Sequence, residues 1–163
     1  MAEVLEFNDM FYTNFDPLMK NHFIMEIDGI PSYLIKTAAL PSITFEEVVL
    51  DHINLKRKLK GKGEWQTIDI TMYNPITPSG QQAVMEWVRL SHESLTGRDG
   101  YSAQYKKDLD IYQLGPIGDK VAQWKLKGAW ISSFNAGDVD WASGADVVEI
   151  SVTLTYDYAI LEY

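Results

Sequence analysis

The stretch VVEISVTLTYDY, residues 147–158, alternates apolar and polar side chains. From Val148 to Tyr158 every second side chain is apolar or aromatic, and the positions between them hold Glu149, Ser151, Thr153, Thr155 and Asp157. A two-residue period places these two sets on opposite faces of a β-strand. We therefore predict a strand from Val148 to Tyr158 with one dry and one wet face, in an antiparallel sheet.

Weaker alternation predicts six further strands, bounded by glycine, proline and asparagine. They are His22–Asp28, Ser32–Ala39, Phe45–Leu55, Trp65–Tyr73, Tyr105–Leu114 and Val121–Phe134. Between the third and fourth of these, Lys56–Gly63 consists mainly of bases and glycines, and we interpret it as a loop or hairpin tip. Thr67, Asp69 and Thr71 form the polar set of the fourth strand.

One helix is predicted between the fourth and fifth strands. Thr77 is a candidate N-cap and Pro78 suits the first helical position. Apolar residues then recur at helical spacing, and they define a core-facing stripe of Val84, Trp87, Val88 and Leu95. About seven strands and one flanking helix indicate a mainly β domain, an antiparallel sandwich or barrel.

Residues 1–20 show no sustained period and are interpreted as an N-terminal arm before a β domain of residues 21–163. The arm contains several aromatic and methionine residues, so two alternatives are open. Either it packs on its own domain, or it packs on a neighbouring molecule.

Composition excludes several classes of protein. The chain has 163 residues, no cysteine and a formal net charge of −9. Without cysteine there are no disulfides, no thiolate catalysis and no cysteine-ligated metal. No apolar run approaches the roughly 18 residues of a membrane span, and the acidic start MAEVLEFNDM differs from a signal peptide. The net charge argues against tight nucleic-acid binding, which depends on clustered Lys and Arg.

No catalytic or metal-binding motif stands out. The sequence contains neither phosphate-binding glycine loop nor a nucleophile elbow, and His22, His52 and His92 are far apart. A loose likeness to a calcium loop near Asp138 fails, because Ala142 stands where an oxygen ligand is needed. We therefore expect no enzyme activity, no cofactor and no metal.

Charge is unevenly distributed along the chain. Five of the 14 bases lie within Lys56–Lys62, whereas no Lys or Arg follows Lys127. The acidic residues beyond it include Asp138, Asp140 and Asp146. Two interpretations are open: these are solvated surfaces of a single domain, or they are complementary patches for a partner or another copy of the chain.

The order of segments resembles the tail tube proteins of contractile-tailed bacteriophages. The likeness spans roughly residues 20–160. The residues that carry it are, in order, Asn21, Phe23, Glu26 and Ile27; Lys36–Pro41; Trp65 and Met72–Asn74; Trp87; Tyr105–Lys107; Lys127–Trp130; Val139–Ser143; and Glu149–Tyr158. The arm before His22 is longer than the resemblance requires.

The resemblance implies a structural subunit of a hexameric ring. Strands of six copies would join into one β-barrel, and stacked rings would form a tube inside a contractile sheath that conducts DNA into the host. The hairpin that contacts the next ring would map to about Leu50–Gly63, with the contact residues Asp51, His52, Lys56, Arg57, Lys58, Lys60 and Lys62. From the charge distribution, and not from the resemblance, we hypothesise that its acidic counterpart is the patch of Asp138, Asp140 and Asp146.

The resemblance also implies partners and a location. The partners would be further copies of the chain, the sheath, baseplate and tail terminator proteins, and a tape measure protein and DNA held loosely in the lumen, without a membrane. The location would be the virion tail, assembled in the host cytoplasm. The candidate lumen-facing residues are Glu149, Ser151, Thr153, Thr155 and Asp157, with Thr67, Asp69 and Thr71 as further candidates. An acidic lumen would repel the phosphates of passing DNA.

Two alternatives remain at this point. A related contractile injection or secretion system would use the same kind of tube for protein cargo. A monomeric β-barrel that binds a small ligand would never form tubes.

Overall fold

The computed structural model describes residues 16–163, and the predicted arm lies mostly outside these residues. Nine strands are found in the described part of the chain. They are β1 (Phe23–Glu26), β2 (Ile35–Ala38), β3 (Ile43–His52), β4 (Leu55–Trp65), β5 (Ile68–Tyr73), β6 (Lys107–Leu114), β7 (Lys120–Asn135), β8 (Glu149–Thr155) and β9 (Tyr158–Glu162). A short 3-10 helix, Ser32–Leu34, precedes β2. The chain is mainly β, as predicted.

Seven strands form one antiparallel sheet in the order β1-β6-β7-β8-β5-β2, and β9 also pairs with β7. The 16-residue β7 belongs to both halves of this sheet. Its first half pairs with β6 and β9, and its second half pairs with β8. The sheet therefore has two four-stranded halves, β1-β6-β7-β9 and β2-β5-β8-β7. Strands β3 and β4 form a separate two-stranded hairpin.

The two halves enclose the core with their apolar faces. The alternation of the last long strand is confirmed on its dry side, where Ile150 and Leu154 are fully buried. On β5, next to β8, Ile68, Ile70 and Met72 are buried in the same way. The other half contributes Met25, Leu109, Ile111 and Leu126. Burial of these aliphatic side chains is the main stabilising term of the fold.

The predicted helix is present, but its bounds differ. Helix α1 spans Gly80–Ser91, and the Ser79 hydroxyl accepts a hydrogen bond from Gln82 N at 3.3 Å. Ser79 rather than Thr77 therefore caps the helix, because its side chain satisfies a free backbone N–H, and the first helical residue is Gly80 rather than Pro78.

Three of the four residues predicted for the core-facing stripe of this helix are buried or pack against the core. Val84 and Trp87 are buried, Val88 packs against the core, and Trp87 Nε1 donates to Tyr105 O at 2.7 Å. The assignment of Leu95 to this stripe was wrong, because Leu95 lies beyond the end of α1 and is 93% exposed. A second helix of four residues, α2 (Ser102–Tyr105), was not predicted.

Two predictions about the strands were also wrong. Lys56–Gly63 is part of β4 rather than a loop, and the turn of the hairpin lies at Ile53-Asn54. Trp65–Tyr73 is divided between β4 and β5 by Gln66 and Thr67. Glycine and lysine are poor strand formers, so the cross-strand pairing with β3 rather than local propensity makes β4 a strand.

The C-terminal alternation is interrupted at Tyr156 and Asp157. Tyr156 is buried, whereas Tyr158 is exposed and begins β9. The interruption lies beside Gly128, which adopts φ +66° in β7. The chain passes here from one half of the sheet to the other, which a strict two-residue period does not reveal.

Candidate assembly interface

The half-sheet β2-β5-β8-β7 has a polar outer face that four strands build together. Opposite residues in an antiparallel pair lie on the same face, so the register defines its membership. The pairs are Thr37 with Thr71, Asp69 with Thr153, Thr71 with Ser151, Tyr73 with Glu149, Ser133 with Thr153, and Asn135 with Ser151. We call this set the polar face.

The structure brings together candidate lumen residues from two separate strands. Asp69 and Thr71 of β5 lie beside Ser151 and Thr153 of β8, and Glu149 lies at the end of the same row. Thr155 pairs with Trp130 at the opposite end of β8 and is half-buried. The β7 and β2 members of the polar face were not predicted from the sequence, because their strands carry no clean alternation.

Two candidates lie outside this face. Thr67 is exposed in the connection before β5. Asp157 lies in the connection between β8 and β9, where its carboxylate accepts hydrogen bonds from Lys106 Nζ at 2.8 and 2.9 Å. Its backbone N–H donates to Lys127 O at 3.0 Å. Asp157 thus connects the two halves of the sheet at the interruption of the last strand.

The polar face carries little net charge. Lys36, in a register shift of β2, forms an ion pair with Glu149, and this contact raises the pKa of the lysine above its usual value. The other carboxylate, Asp69, accepts a hydrogen bond from Thr153 Oγ1 at 2.8 Å. The predicted acidic row is therefore mostly hydroxyl groups, with one carboxylate already neutralised by Lys36.

In the part of the chain that the structure describes, both outer edges of this half-sheet lack a partner strand. Within residues 16–163, β2 pairs only with β5, and the second half of β7 pairs only with β8. Free strand edges expose backbone N–H and C=O groups that can pair with another chain. A monomer with such edges is suited to joining its sheet to a neighbour on each side.

The β3-β4 hairpin projects from the sheet, and every residue of β3 is exposed. Its ten residues span about 33 Å at roughly 3.3 Å per residue. Residues 43–65 contain five bases and four acids, so the net charge of the hairpin is only +1. The predicted basic patch is therefore partly compensated within the hairpin.

Pairing in the hairpin places most of its charged side chains on one face and most of its apolar side chains on the other. One face, the charged face, carries the pairs Glu47 with Lys60, Val49 with Lys58, and Asp51 with Lys56. Lys58 Nζ lies 2.9 Å from Glu47 Oε1, and Lys60 Nζ lies 4.2 Å from the centre of the Phe45 ring. Of the predicted contact residues, His52 and Arg57 lie on the other face, opposite Leu55 and Leu50. Lys62 lines a shallow groove with Thr44 and Gly63.

The predicted acidic patch lies in the connection of residues 136–148, which we call the β7–β8 loop. Asp138, Asp140 and Asp146 are all exposed. Asp140 is held by its local backbone, because its carboxylate accepts from Ala142 N at 3.0 Å. Trp141, between the acids, is fully exposed.

Within residues 16–163, the structure shows no cluster of three or more metal-binding side chains. The helices of this part of the chain are too short and too polar to cross a membrane. The organised features of the described chain are thus a polar face, two free edges and an exposed hairpin, which are features of an assembly surface.

Comparison with solved structures identifies contractile injection machines as structural relatives. A chain from the cryo-EM structure of the sheath/tube terminator of an extracellular contractile injection system, PVC, is similar over 93% of this chain and 100% of its own length, with a TM-score of 0.74 and 17% identity. A chain of the PVC sheath–tube complex is similar over 98% of this chain and 99% of its own length, with a TM-score of 0.71 and 16% identity. A chain of the 6-fold symmetrised baseplate of the anti-feeding prophage is similar over 91% of this chain and 97% of its own length, with a TM-score of 0.69 and 15% identity.

These identities show a shared fold. The comparison with curated protein sequences gives no match. The family model of the T4-like virus tail tube protein gp19, by contrast, matches residues 19–160. That match covers nearly all of the described chain, including the polar face, both free edges and the hairpin. The chain therefore belongs to the tail tube protein family of T4-like viruses.

Proposed function

We propose that this chain is the subunit of a hollow tail tube, in which hexameric rings stack head to tail. The observation that carries this proposal is the half-sheet β2-β5-β8-β7. Its apolar face packs on the core of the subunit, whereas its polar face and its two free edges are available for contacts with other copies. Pairing of β2 from one copy with β7 of the next would extend the sheet without a break. Four strands from each of six copies would exceed the roughly 16–18 strands at which β-barrels already enclose an aqueous channel.

The polar face would then line the lumen. Its hydroxyl groups and its paired Lys36 and Glu149 present no strong positive charge to a passing polyanion. A basic lumen would retain DNA through counterion release, whereas a nearly neutral one lets it slide. This modifies the expectation from the sequence: low adhesion, rather than strong repulsion, is what the side chains support.

Partners follow from the same proposal. The structural relatives come from a sheath/tube terminator, a sheath–tube complex and a baseplate. We propose that this chain likewise contacts sheath, terminator and baseplate proteins in a phage particle, and that the tape measure protein and DNA occupy the lumen without tight binding. The role is structural, and assembly takes place in the host cytoplasm.

Protein cargo is a second candidate, because these relatives belong to extracellular contractile injection machines or to the anti-feeding prophage. The fold and the low charge of the polar face suit either cargo. Nucleic-acid and protein analysis of intact particles that contain this chain distinguishes the two. DNA in the particle supports a phage tail, and a packed protein without DNA supports an injection machine.

Electron microscopy of the purified protein tests the assembly itself. We expect six-fold rings and tubes whose wall is a continuous sheet. A monodisperse monomer at all concentrations and salt conditions would contradict the proposal and would favour the small-ligand barrel.

A further inference from the structure

The hairpin has an apolar face that the described residues of its own subunit leave uncovered. This face, opposite the charged face, consists of Val48, Leu50, His52, Leu55, Arg57 and Leu59. Its four aliphatic side chains are 42–74% exposed, and Leu55 is the most exposed of them. Four exposed aliphatic side chains on one face of a projecting hairpin mark a contact surface.

A second uncovered apolar group lies in the β7–β8 loop. Trp141 is fully exposed there, and Val139 and Val147 are exposed as well. Ile76, in the connection after β5, is also exposed and lies at the same end of the sheet, because Asn74 N donates to Val148 O at 3.2 Å. Tryptophan is rarely left fully in water, and it is enriched at the centres of protein interfaces.

The two uncovered groups lie at opposite ends of the same half-sheet. The base of the hairpin is closed by Gln66 N donating to Ser42 O, just before Ile68 pairs with Leu154. The β7–β8 loop enters β8 at the other end, where Tyr73 pairs with Glu149. The seven residues of β8 separate the two ends by about 23 Å. In a head-to-tail stack, opposite ends of successive copies face each other.

We propose that the apolar face of the hairpin docks on the Trp141 region of the β7–β8 loop in a second copy of this chain. This inference rests on the proposed function and names the receiving surface for the hairpin. Charge complementarity supports a second copy of this chain as the binding partner. Arg57 is the one base on the apolar face, and Trp141 is flanked by Asp138 and Asp140 in a loop without bases. A guanidinium over an indole, beside carboxylates, is a favourable arrangement.

The charged face takes a different role in this arrangement. Lys58 already has Glu47 as a partner, and Lys56 lies opposite Asp51. The charged face therefore stabilises the hairpin itself, and Arg57 is the cation that reaches the second copy. Lys58 gives a matched control, since it is a base on the neighbouring pair of the same strand.

Site-specific disulfide trapping tests the contact directly, because the chain has no native cysteine. The variant with Leu55→Cys and Ser143→Cys, which keeps Trp141 in place, should give a ladder of covalent oligomers in denaturing gels after assembly into tubes and oxidation. The control pair is Leu55→Cys with Ile117→Cys. Ile117 is 90% exposed, but it lies in the turn between β6 and β7, away from the β7–β8 loop. A ladder from the control pair and none from the test pair would overturn the proposal.

Substitutions test the energetics of the same contact. We expect Trp141→Ala and Arg57→Ala to raise the critical concentration for tube assembly at least about tenfold, because both remove an interface anchor. Lys58→Ala should change it less than about threefold. Circular dichroism and thermal melting of the unassembled variants establish that they fold.

The outcomes separate this inference from the proposed function. If the unmodified chain forms tubes and Trp141→Ala assembles at the same concentration, the docking surface is wrong and the tube function stands. If the unmodified chain forms no tubes under any condition, the proposed function fails first.

Discussion

Thr153 Oγ1 donates a 2.8 Å hydrogen bond to Asp69 Oδ1 across the β5–β8 pair. The two residues are 84 positions apart in the chain, and both lie on the polar face. The polar face has two carboxylates, and Glu149 is paired with Lys36. The bond from Thr153 gives the other carboxylate, Asp69, a hydrogen-bond donor. It also joins two sets of polar residues that were separate candidates in the sequence.

Accessibility of the polar face in the assembled tube provides the first prediction. A cysteine introduced by Ser151→Cys should react with small and large maleimide reagents in the unassembled protein. In tubes it should react with the small reagent only, because a bulky polymer cannot enter the lumen. The matched variant Gln82→Cys, on the exposed face of α1, should react with both reagents in either state. Equal labelling of Ser151→Cys by the large reagent in tubes would place the polar face outside.

Acid stability depends on Asp108, and this is the second prediction. Hydrogen bonds from Lys127 Nζ at 2.7 Å and Gly128 N at 3.2 Å hold the pKa of Asp108 below its usual value. A depressed folded pKa adds stability above the unfolded pKa near 4, and this stability is lost as the pH falls through the folded value. Asp108→Asn should therefore lower the melting temperature of the unassembled protein at pH 7.

The size of that effect is limited by exposure, because the carboxylate is largely solvated. We expect a decrease of about 1–3 °C at pH 7 that shrinks once the pH falls below the unfolded pKa near 4 and vanishes below the folded pKa of Asp108. Melting curves of both proteins across this pH range provide the measurement. A difference that grows on acidification would show that the ion pair is not its source.

The interruption of the last strand provides the third prediction, at Gly128. A Cβ at this position would lie 2.2 Å from Asp157 Oδ2, and the backbone has a φ of +66°. Gly128→Ala should destabilise the protein by about 1–3 kcal/mol. Gly118→Ala is the control, since its φ is +83° but no atom lies within 4 Å of its Cβ position.

Chemical denaturation of the variants separates strain from steric conflict. We expect Gly118→Ala to cost less than Gly128→Ala. Adding Asp157→Ala to Gly128→Ala should recover part of the difference, because it removes the atom that the new methyl group meets. Equal costs at both glycines would mean that the contact with Asp157 is unimportant.

The fourth prediction contrasts two apolar residues assigned to the helix stripe from sequence. Trp87 is 3% exposed and bonds to Tyr105 O, whereas Leu95 is 93% exposed. Trp87→Ala should cost about 3–5 kcal/mol of unfolding free energy, since it leaves a cavity and an unpaired carbonyl. Leu95→Ala should change it by at most about 0.5 kcal/mol. A large effect of Leu95→Ala on the unassembled protein would contradict the observed end of α1.

The sequence by itself determined the fold class, the dry face of the last long strand and most of the helix stripe. These follow from local period: Ile150, Leu154 and Trp87 are spaced so that one face must be buried. The resemblance to tail tube proteins, carried by ordered residues along the whole chain, was confirmed by the family match over residues 19–160.

Only the tertiary structure decided which polar residues share a surface. Asp69 meets Thr153 because β5 and β8 pair in a register that no local pattern encodes. Asp157 leaves that surface and contacts Lys106 because the last strand is interrupted between β8 and β9, beside Gly128 with its φ of +66°. Lys56–Gly63 becomes a strand because β3 supplies its hydrogen-bonding partner. Long-range pairing, rather than the character of each segment, fixed the polar face, the apolar face of the hairpin and the two ends of the sheet on which they lie.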